Sequence, residues 1–361
     1  MDYHEFSNPD MTKASIFLIY TGGTIGMKED SKDRTLKPFD FKHILQKVPE
    51  IGRFASRIDS FTFDPLIDSS DVEPSSWQEL AQLIKTHYLQ YDGFVILHGT
   101  DTMAYTASAL SFMLDNLQKP IILTGSQLPI GAPRTDGKEN IISAVEIAAT
   151  RDSEGKAFVP EVCIYFNSML MRGNRSVKIN SEEFRAFVSP NYPVLADAGI
   201  YIKYQFKNIL KVPDKEGGLI VNSELDTRVS ILKLHPGITP GVVKYILCSP
   251  ETRAVIIETY GAGNAPSKDW FLDILKEANS LGKIMVNITQ CTVGTVNMSI
   301  YATGKTLENC GVINGYDSTT EAALGKLFVL MGKSKDNEWV KKMMHRNLKG
   351  EISTDHFSEG R

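Results

Sequence analysis

Cysteine is scarce in this chain of 361 residues, with four in all, and their placement excludes two classes of protein. Cys163, Cys248, Cys291 and Cys310 stand 85, 43 and 19 residues apart, with no CxxC pair. Neither a disulfide scaffold nor a zinc module fits that spacing, and buried free thiols are the expectation. HExxH is absent, and the seven histidines include no pair at ligand spacing, so no metal site is expected. No apolar run approaches the roughly 20 residues of a membrane span. The first residues carry acidic side chains where a secretory leader needs positive charge. A cytoplasmic protein without a membrane partner follows as the expectation. Charge of one sign is lacking too: 39 Lys and Arg against 43 Asp and Glu give a formal charge of -4. That balance offers no general attraction to phosphate backbones, so nucleic acid is not expected as a partner.

What is present is an ordinary globular composition, 42% hydrophobic and 23% charged. At roughly 150 residues per domain the length predicts two domains. Apolar, β-branched runs recur at Ser15–Tyr20, Gly93–His98, Pro120–Thr124 and Val162–Phe166, then at Val229–Leu234, Ala254–Glu258 and Lys283–Thr289. Each is followed by a turn and then by a helical pattern. Runs apolar throughout are what a parallel sheet buried on both faces requires. The fold class expected is α/β, two unequal doubly wound α/β domains with mainly parallel sheets. Tyr204–Arg228 breaks the alternation, which divides the chain into a larger domain over 1–203, a linker over 204–228 and a smaller domain over 229–361. Residues 1–13 and 349–361 are polar and aperiodic, and are expected to be mobile.

In an open parallel sheet, ligands sit beyond the carboxyl ends of the strands. Four loops there carry reactive groups. The first is Thr21-Gly22-Gly23-Thr24-Ile25-Gly26, which does not match G-x-G-x-x-G, and Gly304-Lys305-Thr306 elsewhere lacks the leading Gly of a P-loop, Ser299 standing there. The second, His98-Gly99-Thr100-Asp101-Thr102, sets a hydroxyl beside a carboxylate at the start of a helix over Thr102–Leu117, where Thr100 or Asp101 is equally suited to capping. The third, Asp68-Ser69-Ser70-Asp71, precedes a helix that Ser75 or Ser76 is placed to cap, and is itself open to a capping role. The fourth holds Arg172-Gly173-Asn174-Arg175-Ser176-Val177-Lys178, whose plain reading is a solvated charge cluster. His98 is expected to pack or hydrogen-bond rather than react. With the GxSxG elbow absent, a Thr nucleophile helped by Lys or Asp is the covalent chemistry that survives.

As a set, YTGGTIGM (20–27), DSSDVEPSSW (68–77), HGTDTMAYTA (98–107), TGSQLPIGAPRTDG (124–137), FNSMLMRGNRSVK (166–178) and YGAGNAP (260–266) resemble the intracellular, bacterial-type L-asparaginases. The resemblance covers nearly the whole chain in the family's order. It implies an amidohydrolase that converts L-asparagine and water to L-aspartate and ammonia without a cofactor. It also implies a homodimer, or a dimer-of-dimers tetramer, in which a neighbouring subunit completes each site. Carried over by motif, Thr24 is the nucleophile, and Thr100, Asp101 and Lys178 form a second catalytic trio. Asp68, Ser69 and Ser70, with Gly99, Thr100 and Asp101, hold the substrate, and Asn264 reaches into the partner's site. The backbone N–H groups near Thr100 are the expected oxyanion donors.

Two positions depart from the family pattern. Lys28–Phe41 contains no Tyr to contact the nucleophile, and Thr35 is the nearest in kind. Glu258 and Val177 stand where an allosteric asparagine pocket would have Arg and Thr, and only Cys291 is kept, which implies that this form of activation is lacking. Two other readings accompany the hydrolase: an amino-acid-binding module without turnover, and an amidotransferase subunit that hands ammonia to a partner. The basic stretch Lys341, Lys342, Arg346 and Lys349 reads as the solvated face of a C-terminal helix.

Overall fold

The computed structural model describes residues 14–29, 36–38, 48–212, 217–298 and 302–353. Thr35 lies outside them. The chain divides into two compact units, the first running to Ser189 with Pro193–Val221, the second comprising Pro190–Tyr192 and the residues from Asn222 on. The division at Val221 falls inside the stretch expected to link the domains. Much of that stretch is nonetheless built into the first unit, where the Leu210 N–H donates to Glu161 Oε1 at 2.7 Å.

The first unit is an eight-stranded sheet. Its strands β1 (Ser15–Tyr20), β2 (Arg57–Thr62), β3 (Gly93–Leu97), β4 (Ile121–Thr124) and β5 (Val162–Phe166) run parallel. β3, β4 and β5 are buried at every position. Each large aliphatic side chain so enclosed contributes about 1.5–3 kcal/mol over leaving it in water. β6 (Met169–Arg172) turns back antiparallel on β5. The hairpin β7 (Val177–Lys178) and β8 (Phe187–Val188) follows, and β9 (Ala196–Ala198) and β10 (Ile202–Tyr204) extend the sheet edge. Among the described residues its helices are α1 (Pro74–His87), α2 (Met103–Met113) and α3 (Gly137–Ala149).

The strand order is β10-β9-β6-β5-β4-β3-β1-β2. The chain steps from β1 outward to β2, then crosses back to lay β3 on the other side of β1. That reversal opens a crevice at the carboxyl ends of β1 and β3. The register brings those ends level, with Tyr20 opposite Leu97 and Leu97 opposite Thr124. The loops after β1, β3 and β4 therefore leave the sheet along one edge.

The second unit has four parallel strands in chain order, β11 (Val229–Lys233), β12 (Ala254–Thr259), β13 (Ile284–Thr289) and β14 (Val312–Asn314). Alternate residues feed two cores. Val255, Ile257 and Met285 meet Val243 and Leu247 of α4 (Pro240–Leu247), Phe271 and Leu275 of α5 (Asp269–Ser280) and Leu307 of α6 (Ala302–Asn309). Ile256, Val286 and Ile288 meet Leu327 and Met331 of α7 (Thr320–Lys333) and Val340 of α8 (Asn337–Met344). On α8 Lys341 pairs with Glu338 at 2.8 Å and its side chain is only 15% exposed, so the basic stretch is solvated only in part, at Lys342 and Arg346.

Four local expectations differ from the structure. α1 begins at Pro74 with Glu73 at its cap position, so neither Ser75 nor Ser76 caps it; the fixed φ of Pro at the first helical position sets the start two or three residues earlier. α2 ends at Met113 rather than Leu117. All four thiols are free, but Cys291 is exposed and Cys248 only half-buried. Residues 349–353 are packed, because Glu351 is fully buried and ion-pairs with Lys326 at 2.6 Å. The Lys326 ammonium also donates to Met344 O and Arg346 O, and Glu351 accepts from the N–H groups of Leu348 and Lys349. A polar tail buried through a charge pair carries no periodic apolar signal.

Candidate active site

Thr24 opens a single 3-10 turn directly after Gly22 and Gly23. Gly23 has φ +90°, and a Cβ there would stand 2.4 Å from the Gly99 Cα, so only glycine lets these two loops touch. The Thr21 N–H donates to Leu97 O at 3.0 Å, and Thr21 O accepts from the Ile67 N–H at 2.8 Å. The Thr24 loop is thereby tied on one side to β3 and on the other to the segment that leads into Asp68.

The Asp68 loop and the Thr100 loop are stitched in turn. Thr102 Oγ1 donates to Ser69 O at 2.6 Å, and a Cβ on Gly99 would meet Ser69 Oγ at 2.5 Å. Ser69 is buried, and its Oγ lies 3.4 Å from both Asp101 Oδ2 and the Asp101 N. Asp68 is exposed and accepts from the Ser70 N–H at 3.0 Å and the Ser70 hydroxyl at 2.9 Å. Asp68 thus caps the short turn Ser69–Asp71 and not the helix α1 that follows, whose cap position is Glu73. α2 takes no side-chain cap from Thr100 or Asp101.

Lys178 reaches the same place from β7. Its Nζ donates to Thr100 Oγ1 at 2.8 Å and to Asp101 Oδ1 at 2.7 Å. The turn before it is no solvated cluster. Arg172, Asn174 and Arg175 are all buried, Arg172 pairing with Glu161 at 2.7 Å, and Gly173 lies against Ala107 of α2. A cationic turn packed this way gives the lysine a fixed base. The Lys178 side chain is 18% exposed and that of Asp101 62%, so the carboxylate is the accessible member of the pair. The Lys178 hydrogen bond is the main cause that holds the Asp101 carboxyl below its ordinary pKa, against an opposing effect of burial.

Two supports, Ile130 and Asn140, were not foreseen, while His98 hydrogen-bonds as expected. The Ile130 N–H, in the loop after β4, donates to Ile25 O at 3.2 Å beside Thr24. Asn140, buried on α3, donates to Gly125 O at 3.0 Å and accepts from the Asn167 N–H at 3.3 Å, joining the loops after β4 and β5. His98 is hydrogen-bonded at both ring nitrogens. A polar residue inside an otherwise apolar stripe, as Asn140 is, was the one signal available for the first two. Asn264 belongs to the second unit, in the turn after β12, where its N–H donates to Tyr260 O at 2.8 Å. Gly261 O and Gly263 O in that turn accept from Thr289 Oγ1 and Asn287 Nδ2. Among the described residues, no group of three or more His, Cys, Asp or Glu side chains is placed to hold a metal ion, and no helix is long and apolar enough to cross a membrane.

Comparison with known proteins agrees with this arrangement. Residues 15–210 match the family described as Asparaginase, N-terminal, and residues 228–344 match Glutaminase/Asparaginase C-terminal domain. L-asparaginase 1 of Escherichia coli (strain K12) is 45% identical over 348 residues, which cover 96% of this chain and all of that one. The 60 kDa lysophospholipase of Homo sapiens is 40% identical over 96% of this chain, which spans 63% of that protein. The crystal structure of L-asparaginase I from Vibrio cholerae superposes with a TM-score of 0.85 at 43% identity, covering 95% of this chain and 100% of that one.

Proposed function

Because the chain belongs to the asparaginase family, we propose that it hydrolyses the side-chain amide of L-asparagine, giving L-aspartate and ammonia. The observation that carries the assignment of roles is the Lys178 ammonium, hydrogen-bonded to both Thr100 and Asp101 on the loop that touches the Thr24 turn. Amide hydrolysis needs a nucleophile, a proton for the departing nitrogen and donors for an oxyanion. Thr24 Oγ1 attacks the side-chain carbonyl carbon, and the developing oxyanion takes a hydrogen bond from the Thr100 N–H. The carbon–nitrogen bond breaks as the nitrogen receives the proton lost by the threonine, ammonia leaves, and a β-aspartyl ester remains on Thr24. Water then adds to the ester carbonyl and releases aspartate. Lys178 donates to Thr100 Oγ1, which leaves the hydroxyl hydrogen of Thr100 to be passed to the reacting atoms.

The substrate is a zwitterion. The accessible Asp101 carboxylate is matched to its α-ammonium, and Ser69, Ser70 and Asp68 line the adjoining loop, with Gly99 between them and Thr24. The enzyme works as a homo-oligomer in which Asn264 of a second copy completes the site. Four free thiols, none paired in a disulfide, suit a reducing cytoplasm.

Ammonia release from L-asparagine, with L-glutamine in parallel, tests the reading. Thr24→Ala is expected to lose about 10³-fold or more in kcat/KM, and Thr100→Val about 10²-fold or more. Activity that survives both changes would remove the assignment of roles. A wild-type protein that frees fatty acid from a lysophospholipid and no ammonia from L-asparagine would remove the substrate.

A further inference from the structure

The chemistry above leaves unused one buried titratable side chain at the very edge of the site. His98 follows β3 and is only 2% exposed. Its Nδ1 lies 2.7 Å from Gly99 O, its Nε2 lies 3.0 Å from Thr106 Oγ1 on α2, and Trp77 Nε1 of α1 lies 3.0 Å from the same hydroxyl. The directions of these bonds follow from what each group is able to do. A carbonyl only accepts and an indole N–H only donates. Nδ1 therefore carries the proton and donates to Gly99 O. Thr106 accepts from Trp77 and turns its own hydrogen to Nε2. Burial lowers the imidazole's pKa, which keeps the ring neutral and this tautomer in place.

Gly99 O belongs to the peptide that joins Gly99 to Thr100. A trans peptide is planar, with its C=O and N–H pointing opposite ways. Fixing the carbonyl toward the buried imidazole turns the Thr100 N–H away from the core. Among the described residues that N–H has no acceptor. The lock has a local reason. Close packing against Ser69 and Gly23 demands glycine at position 99, and a peptide beside glycine is the one most free to rotate. We propose that His98 is a positioning residue, which holds the Gly99–Thr100 peptide so that the Thr100 N–H faces the oxyanion. The inference rests on the amidohydrolase reading given above and adds to it the part that orients the oxyanion donor.

Two amides divide the ring's two contacts between them. In His98→Asn, the side-chain nitrogen takes the place of Nδ1 and still reaches Gly99 O. In His98→Gln, it takes the place of Nε2 and reaches Thr106 instead. Loss of a whole oxyanion donor costs 10²–10³ in kcat, so a misaligned one should cost about 10- to 100-fold in His98→Gln, with KM within about twofold of the wild type. His98→Asn should keep kcat within about threefold, since the donor to Gly99 O is retained. Both place an amide in the same apolar surroundings, so a packing defect would lower the two alike, and thermal unfolding measures it separately. Equal kcat in the two variants, whether both high or both low, refutes the positioning role while ammonia release by the wild type stands. A wild type without ammonia release refutes this role and the amidohydrolase reading together. Should the histidine variants not fold, Thr106→Val frees the tautomer without touching His98, and an unchanged kcat there is equally decisive against the proposal.

Discussion

Asp101 is held ionised chiefly by one hydrogen bond, that from Lys178, and less by the lysine's charge at a distance and by Ser69. Its folded pKa is below that of the unfolded chain. Folding therefore favours the carboxylate, and the stabilisation is fully present above the unfolded pKa and lost as the pH falls through the folded one. Lys178→Met removes the largest cause and leaves burial, which acts in the opposite direction. The Asp101 carboxyl, followed by carbon-13 NMR, is expected to titrate at higher pH in that variant than in the wild type, and kcat/KM to fall by about 10²–10⁴ with the loss of a proton-handling group. An unmoved titration would mean that Lys178 does not govern the carboxylate. At this scale the sequence was most informative about residues that react. Thr100, Asp101 and Lys178 were named as a trio, and the structure brings the three together at hydrogen-bonding distance. It was least informative about residues that hold others in place, because the contacts of His98, Thr106 and Trp77 join three separate elements and no local pattern encodes them.

At the scale of elements, strands buried on both faces were legible and edge strands were not. Apolar runs located β1, β3, β4 and β5 to within about a residue, because a fully buried parallel strand leaves no polar position to confuse the signal. β2 (Arg57–Thr62) is exposed at four of its six positions and shows neither alternation nor a run. The antiparallel strands β6, β9 and β10 have three or four residues each, too few to display a period. The loops at the strand ends were legible through glycine, and Gly23 shows what that glycine is for. Gly23→Ala places a left-handed φ on a residue with a side chain, at a cost of about 1–3 kcal/mol. It also drives a Cβ into the Gly99 backbone, so the Thr24 turn has to move. A shift of about 1 Å in a reacting group is enough to lose about 10² in rate. The variant is expected to unfold a few degrees lower while kcat/KM falls by that much. Retained activity would show that contact between the two loops is dispensable.

At the scale of the whole molecule, each unit encloses its own core, and the groups read as catalytic all lie in the first. Asn264 does not: it belongs to the second unit, in a turn whose backbone is fastened by Tyr260, Asn287 and Thr289. A side chain on so well fixed a turn is suited to being presented to another surface. If a second copy supplies it, the site becomes a property of the assembly, and that has a countable consequence. Thr24→Ala and Asn264→Ala, each inactive alone, carry their lesions on opposite sides of the shared site. When equimolar amounts are unfolded, mixed and refolded, about half of the dimers are mixed, and in each of these one site joins an intact Thr24 to an intact Asn264. Ammonia release should therefore recover to about a quarter of the wild-type value. If both residues served the same copy's site, every chain in the mixture would carry a lesion in its own site, and mixing would restore nothing.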